Sequence, residues 1–223
     1  TLAANQNDVY AQYKLGVIYY KGEFVERDIN KAIYYFTLAA NQNDVYAQKK
    51  LTVIYYKGEF VERDINKSIY YLTLTANQND INAQYKLGLI YYKGEFVEKD
   101  INKSIHFFML AANQNNINAQ YKLGVIYYEG KFVEKDINKS IHFFMLAANQ
   151  NHIESQCNLG IIYSEREFVN RDINKAIYYF TLATNQNYMH AQYRLGLIYY
   201  EGEFINRDIN KAIYYFTLAA NQN

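Results

Sequence analysis

Proline and tryptophan are absent from this chain of 223 residues, and cysteine occurs once, at Cys157. Without proline nothing interrupts long helical segments. One cysteine excludes a disulfide framework and points to a reducing compartment, with a cytoplasmic location as the simplest expectation. Charge of one sign is also missing: 23 Lys and Arg face 22 Asp and Glu, so no net field draws the chain to nucleic acid or anionic lipid. No apolar run approaches the roughly 18 residues a membrane span requires. Half of the residues are hydrophobic, which excludes a disordered tract. No secretory leader is visible, although the chain starts within a repeat and a native N-terminus would then lie upstream.

What the chain has in abundance is repetition. Thr1 to Asn7 reads Thr-Leu-Ala-Ala-Asn-Gln-Asn, and Thr217 to Asn223 reads the same. After the first seven residues, the remnant of a preceding helix, a 36-residue unit runs six times, over 8–43, 44–79, 80–115, 116–151, 152–187 and 188–223. The whole of 1–223 is therefore one repeat array.

Each unit reads as helix, turn, helix, turn. Asp8 is an N-cap, followed by Ala11, Leu15, Ile18, Tyr19 and Gly22 at helical spacing. Gly22 suits the left-handed residue that ends the first helix. A loop from Glu23 to Arg27 follows, in which Phe24 and Val25 are expected to tuck inward. Asp28 caps the second helix, whose apolar stripe is Ala32, Phe36 and Ala39. Asn43 ends it, since asparagine tolerates the left-handed conformation. Neither helix can bury its stripe alone, so the pairs must stack on one another. The expected fold is all-α: a right-handed superhelical α-solenoid of stacked antiparallel helix pairs.

The run A-Q-Y-K-L-G-V-I-Y-Y-K-G, continued by Val25, Asp28, Lys31, Ala32 and Ala39, resembles the Sel-one-like repeat, a relative of the tetratricopeptide repeat. The resemblance covers all six units. It departs at Phe24, where the family's second loop glycine would stand, and at Asn43, where the family has a glycine. It implies a scaffold or adaptor that holds a protein or peptide partner in a concave groove lined by the first helices. A cysteine-rich branch of the family is associated with β-lactam binding or hydrolysis through paired cysteines, and a single Cys157 speaks against that branch.

On that reading the groove columns start at Tyr10, Tyr13, Val17, Tyr20 and Lys21, and the candidate partner-binding tyrosines are Tyr13, Tyr20, Tyr56, Tyr85, Tyr92, Tyr121, Tyr128, Tyr193 and Tyr200. A tyrosine offers contact area at low entropic cost, with a hydrogen-bonding tip. The competing view is that tyrosine is simply the default large residue, with 26 in the chain. The next column runs Lys21, Lys57, Lys93 and then Glu129, Glu165, Glu201, three cations followed by three anions, either a directional edge or drift between duplicated copies.

Catalytic, cofactor and metal patterns are not found. His106 and His142 fall about 20 Å apart on successive second helices, too far to share a metal. Cys157 has no acid–base partner at helical spacing. Ser68, Ser104 and Ser140 complete glycosylation sequons yet occupy the column of Ala32, where size alone is expected to count. Repeat five departs most, with Ser164 for a tyrosine and Arg166 for the glycine that ends the first helix, and reads as a decayed copy. The expected function is a non-catalytic adaptor. The alternative is an assembly element that stacks head to tail through uncapped ends, and an enzyme is a distant third.

Overall fold

A computed structural model describes residues 7–165, 171–202 and 205–222. The described residues form twelve α-helices and no strand. They are α1 (Val9–Lys21), α2 (Ile29–Asn41), α3 (Val45–Lys57), α4 (Ile65–Asn77), α5 (Ile81–Lys93), α6 (Ile101–Asn113), α7 (Ile117–Glu129), α8 (Ile137–Ala148), α9 (Ile153–Ser164), α10 (Ile173–Thr184), α11 (Met189–Glu201) and α12 (Ile209–Ala220). Each repeat is one helix pair, and within each of two compact units, Thr1–Ala111 and Ala112–Asn223, successive pairs stack as in an α-solenoid.

The boundaries follow from the capping residues. Asp8 Oδ1 accepts from the Ala11 N–H at 2.6 Å, and Asp28 Oδ1 from the Lys31 N–H at 2.9 Å. That backbone bond, reinforced by the Lys31 side chain, holds the Asp28 carboxyl below its ordinary range. Gly22 closes α1 at φ 71°. Asn43, at φ 66°, closes α2, and the next residue, Asp44, donates back to the Ala39 carbonyl at 3.1 Å. The same left-handed asparagine recurs at Asn79, Asn115, Asn151 and Asn187.

The two helices of a pair meet through the stripes the sequence marks out. Ala32, Phe36 and Ala39 are fully buried, as are Phe108, Phe144 and Phe180 in the column of Phe36. Each phenylalanine packs closely against a first-helix glycine. Repeat two alone replaces both partners, with Thr52 for the glycine and Leu72 for the ring. A second contact stacks Tyr19 on Tyr35 at 5.8 Å and 3°, with Lys31 Nζ over Tyr19 at 5.3 Å.

Two expectations need correction. Phe24 does not tuck inward: it is 87% exposed. The reason lies in its counterparts, which cover a tyrosine of the preceding repeat, Phe60 against Tyr20 at 6.1 Å and Phe96 against Tyr56 at 6.2 Å, both edge-on. No such tyrosine precedes Phe24 among the described residues. Val25 does not tuck inward either and is exposed, although its counterpart Val61 packs on the core. The serines also do more than match alanine in size. Ser68, Ser104 and Ser140 are buried, and each hydroxyl donates across the pair, to Thr52 O, Gly88 O and Gly124 O at 2.9, 2.8 and 2.9 Å. In such a sequon the asparagine would carry the glycan, but the serine must be reached with it, and a buried, engaged hydroxyl is not accessible. Of the remnant 1–7 only Asn7 is described, and Arg166 lies outside the described residues.

Candidate functional site

The first helices present their remaining face to solvent, and the candidate residues divide on it by depth. Tyr13, Tyr85, Tyr121 and Tyr193 all lean on the second-helix phenylalanines, with ring centroids 5.9, 5.8, 6.0 and 5.8 Å from Phe36, Phe108, Phe144 and Phe216. Tyr13, Tyr85 and Tyr121 are half-buried, while Tyr193 stays exposed. Burial pushes the phenols of Tyr85 and Tyr121 above the usual value. This column covers the core first and offers one ring edge to a partner second. Where it changes residue, other bonds take over: Lys49 pairs with Asp80 of the next repeat at 2.6 Å, and Cys157 is buried with its thiol pushed up to about 11 by burial.

Tyr20, Tyr56, Tyr92, Tyr128 and Tyr200 form the outer column. Tyr56 and Tyr200 are half-exposed. A cation seven residues on lies over each ring in turn: Arg63 over Tyr56 at 5.3 Å, Lys99 over Tyr92 at 5.5 Å, Lys135 over Tyr128 at 5.5 Å and Arg207 over Tyr200 at 5.0 Å. Tyr20 receives Lys50 from the next repeat instead, at 5.6 Å. These rings are therefore preset in orientation by a phenylalanine edge or a cation, and little rotamer freedom remains to be lost on binding.

The charged column is less one-sided in space than in sequence. Lys21, Lys57 and Lys93 each have a glutamate two residues on, with Nζ to carboxylate distances of 3.0, 3.9 and 3.7 Å to Glu23, Glu59 and Glu95. In the second unit Glu129 and Glu201 are exposed, and Glu165 accepts from the Tyr128 hydroxyl at 3.3 Å. Ser164 leaves open the place of a tyrosine in this unit. A cavity of about 240 Å³ lies there, lined among others by Ser164, Glu165, Arg171, Arg194 and Glu201.

The histidines do other work. His106 and His142 are exposed and stand edge-on to Phe107 and Phe143. His152 caps α9 through Nδ1, which accepts from the Ser155 N–H at 3.2 Å, and its ring lies 4.7 Å from Tyr121. Burial holds it below the usual imidazole value, against the opposing charge of Glu154.

One set of residues on these helices escaped the sequence reading. Gln12, Gln48, Gln84, Gln120, Gln156 and Gln192 are all buried. Gln48 Nε2 donates to Ala40 O of the preceding repeat at 3.2 Å, while its Oε1 accepts from Gln78 Nε2 at 2.9 Å. Gln120 does the same with Ala112 O and Gln150, and Gln156 with Ala148 O and Gln186. The signal was present as two glutamines at constant separation in all six copies, but a polar residue beside alanine reads as surface.

Among solved structures, c5321, a protective antigen of uropathogenic Escherichia coli with an SLR fold, matches at TM-score 0.76 and 28% identity over 99% of this chain. The chain spans 47% of that protein's length. A Sel1 repeat protein from Oxalobacter formigenes matches at TM-score 0.64 and 28% identity, covering 97% of this chain and 89% of that one. No curated protein is a match. The family model described as Sel1 repeat matches six consecutive segments, 9–44, 45–80, 81–116, 117–152, 153–188 and 190–223. The periodicity, the capped helix pairs and that match agree, and the chain belongs to the Sel1 repeat family.

Proposed function

We propose that this array is a non-catalytic adaptor whose first-helix face holds an extended or helical segment of a partner protein across several repeats. The family's members are commonly protein-interaction scaffolds. The observation that carries the reading here is the outer tyrosine column, solvent-facing at Tyr56 and Tyr200 yet fixed in orientation by Phe96, Arg63 and Arg207. Preset aromatic rings are the usual anchors of recognition surfaces, because they bury area without losing much freedom.

Affinity on such a face is spread over modest contacts. Purified array immobilised as bait, with a Tyr56→Ala/Tyr200→Ala variant beside it, tests the reading. Partners identified by mass spectrometry that bind the first and leave the second support it. Retention identical on both surfaces overturns it.

A further inference from the structure

In the first unit a cavity of about 340 Å³ opens between α3, α4 and α5 on the first-helix face. It sits where repeat two departs from its siblings. In repeats one and three the buried rings of Phe36 and Phe108 approach Tyr20 and Tyr92, at 6.4 and 6.5 Å. Leu72 stands in that column in repeat two and carries no ring, so the inner side of Tyr56 lacks the aromatic partner its counterparts have. Leu72 itself is 8% exposed, where the phenylalanines are fully covered.

The walls suit an aromatic ring. Tyr56, Leu72, Ile90 and Phe96 line the space with apolar surface. Its two small polar side chains have spent their protons on backbone: Thr52 Oγ1 donates to Gln48 O and Ser68 Oγ to Thr52 O, both at 2.9 Å. Neither requires water, so a ring entering the cavity leaves no donor unsatisfied. The charged residues in its lining are Lys86, Lys93 and Glu95, one cation in excess: Glu95 pairs with Lys93 at 3.7 Å, and Lys86 has no acidic partner among the described residues.

We infer that the cavity between α3, α4 and α5 is a specificity pocket for an aromatic side chain of a partner peptide, flanked there by acidic residues. The inference rests on the peptide-binding reading above and names its anchor point. The inserted ring takes the place of the missing phenylalanine against Tyr56, and its acidic neighbours meet Lys86, the cavity's uncompensated cation.

The probe is the fluorescently labelled pentapeptide Glu-Asp-Phe-Asp-Glu, blocked at its C-terminus, followed by anisotropy on the full array. A second probe carries alanine for phenylalanine, and a third carries lysine for all four acids. The pocket is closed by Thr52→Gly/Leu72→Phe, which restores the pair found in the other five repeats and so retains the fold. The acidic aromatic probe is expected to bind roughly tenfold or more tighter than the alanine control, one decade corresponding to one well-buried ring, and about twofold to fivefold tighter than the lysine control, the worth of one exposed charge pair. That advantage disappears in the closed variant, while circular dichroism and melting show an intact array.

Equal binding to the open and closed forms, or no preference for the aromatic probe, overturns the inference. Capture of partner proteins distinguishes this from failure of the broader reading. If the pentapeptide shows no preference but capture is still lost in Tyr56→Ala/Tyr200→Ala, only the pocket falls. If capture is indifferent to those tyrosines as well, the peptide-binding face falls with it.

Discussion

Gly124 and Phe144 approach so closely that a Cβ on the glycine would stand 2.5 Å from Phe144 Cδ1. The ring occupies the space a side chain needs, and it is itself fully buried, with nowhere to retreat. Repeat two shows how the conflict is resolved: Thr52 brings the Cβ, and Leu72 withdraws the ring.

Gly124→Leu is therefore expected to cost a few kcal/mol, about 1–3 from overpacking alone. Even Gly124→Thr is expected to destabilise opposite the intact ring. Adding Phe144→Leu should recover part of that loss, although the smaller side chain leaves a void of its own. Urea melts of the two single variants and the double variant form a cycle that measures the coupling. Additive effects would show that the pair does not share one space.

The buried glutamines make a second quantitative claim. Gln120 donates to Ala112 O at 3.2 Å and accepts from Gln150 at 2.8 Å, tying one repeat to the last turn of the previous one. Gln120→Met keeps the volume but loses both bonds, while Ala112 O retains the Asn115 N–H at 2.9 Å and Gln150 Nε2 retains Leu146 O at 3.5 Å, so the expected cost is about 0.5–1.5 kcal/mol per bond. Gln120→Met combined with Gln150→Met should cost less than the sum of the two, because the bond they share is lost only once. Denaturant unfolding reads both.

Most of the fold was legible because its determinants are local and repeated. Asp8, Gly22, Asp28 and Asn43 each act within a few residues of themselves, so their capping roles follow from position alone. The stripe Ala32, Phe36, Ala39 declares its face by spacing. What was not legible depends on the neighbouring repeat. Phe60 is at home on Tyr20, and Gln48 on Ala40, only once adjacent pairs are in register. The cavities beside Leu72 and Ser164 were similarly hidden, because a shorter side chain opens space only where its siblings show a ring should be.

His152 gives the array a pH dependence in a window of its own. Its Nδ1 must be unprotonated to accept from Ser155 N–H, and burial holds its pKa in the fold below the 6.5 of a free imidazole. The unfolded chain therefore takes up the proton first as pH falls. Stability from this group is fully present above about 6.5 and is lost as pH drops from there through the folded value. The capping aspartates, also lowered, weaken only further down, below the ordinary 3.8 of a carboxyl. His152→Asn keeps a cap, as Asn116 does for α7 at 2.8 Å, without the titration. Between pH 7.5 and pH 5 the parent should lose on the order of 1 kcal/mol, the worth of one cap, and the variant should not. Equal losses in both would place the dependence elsewhere.

The charged column closes on an asymmetry between its two halves. Lys21, Lys57 and Lys93 share their surface with Glu23, Glu59 and Glu95, so each cation arrives already half-neutralised. An approaching acidic segment gains little from a lysine whose charge a neighbouring carboxylate offsets. Glu165 and Glu201 keep their charge available, since Glu165 is met by a neutral phenol and Glu201 is exposed. On the adaptor reading, Glu165→Lys/Glu201→Lys should weaken binding of basic partner segments by about 0.2–1 kcal/mol per site, with a flatter salt dependence. Lys21→Glu/Lys57→Glu should change affinity for acidic segments less, because it removes cations that were already compensated. The measurement is the affinity of one acidic and one basic peptide across a salt series for both variants. If the lysine exchange proves as costly as the glutamate exchange, the local pairs do not screen the column. The first half of the face would then discriminate by charge as strongly as the second.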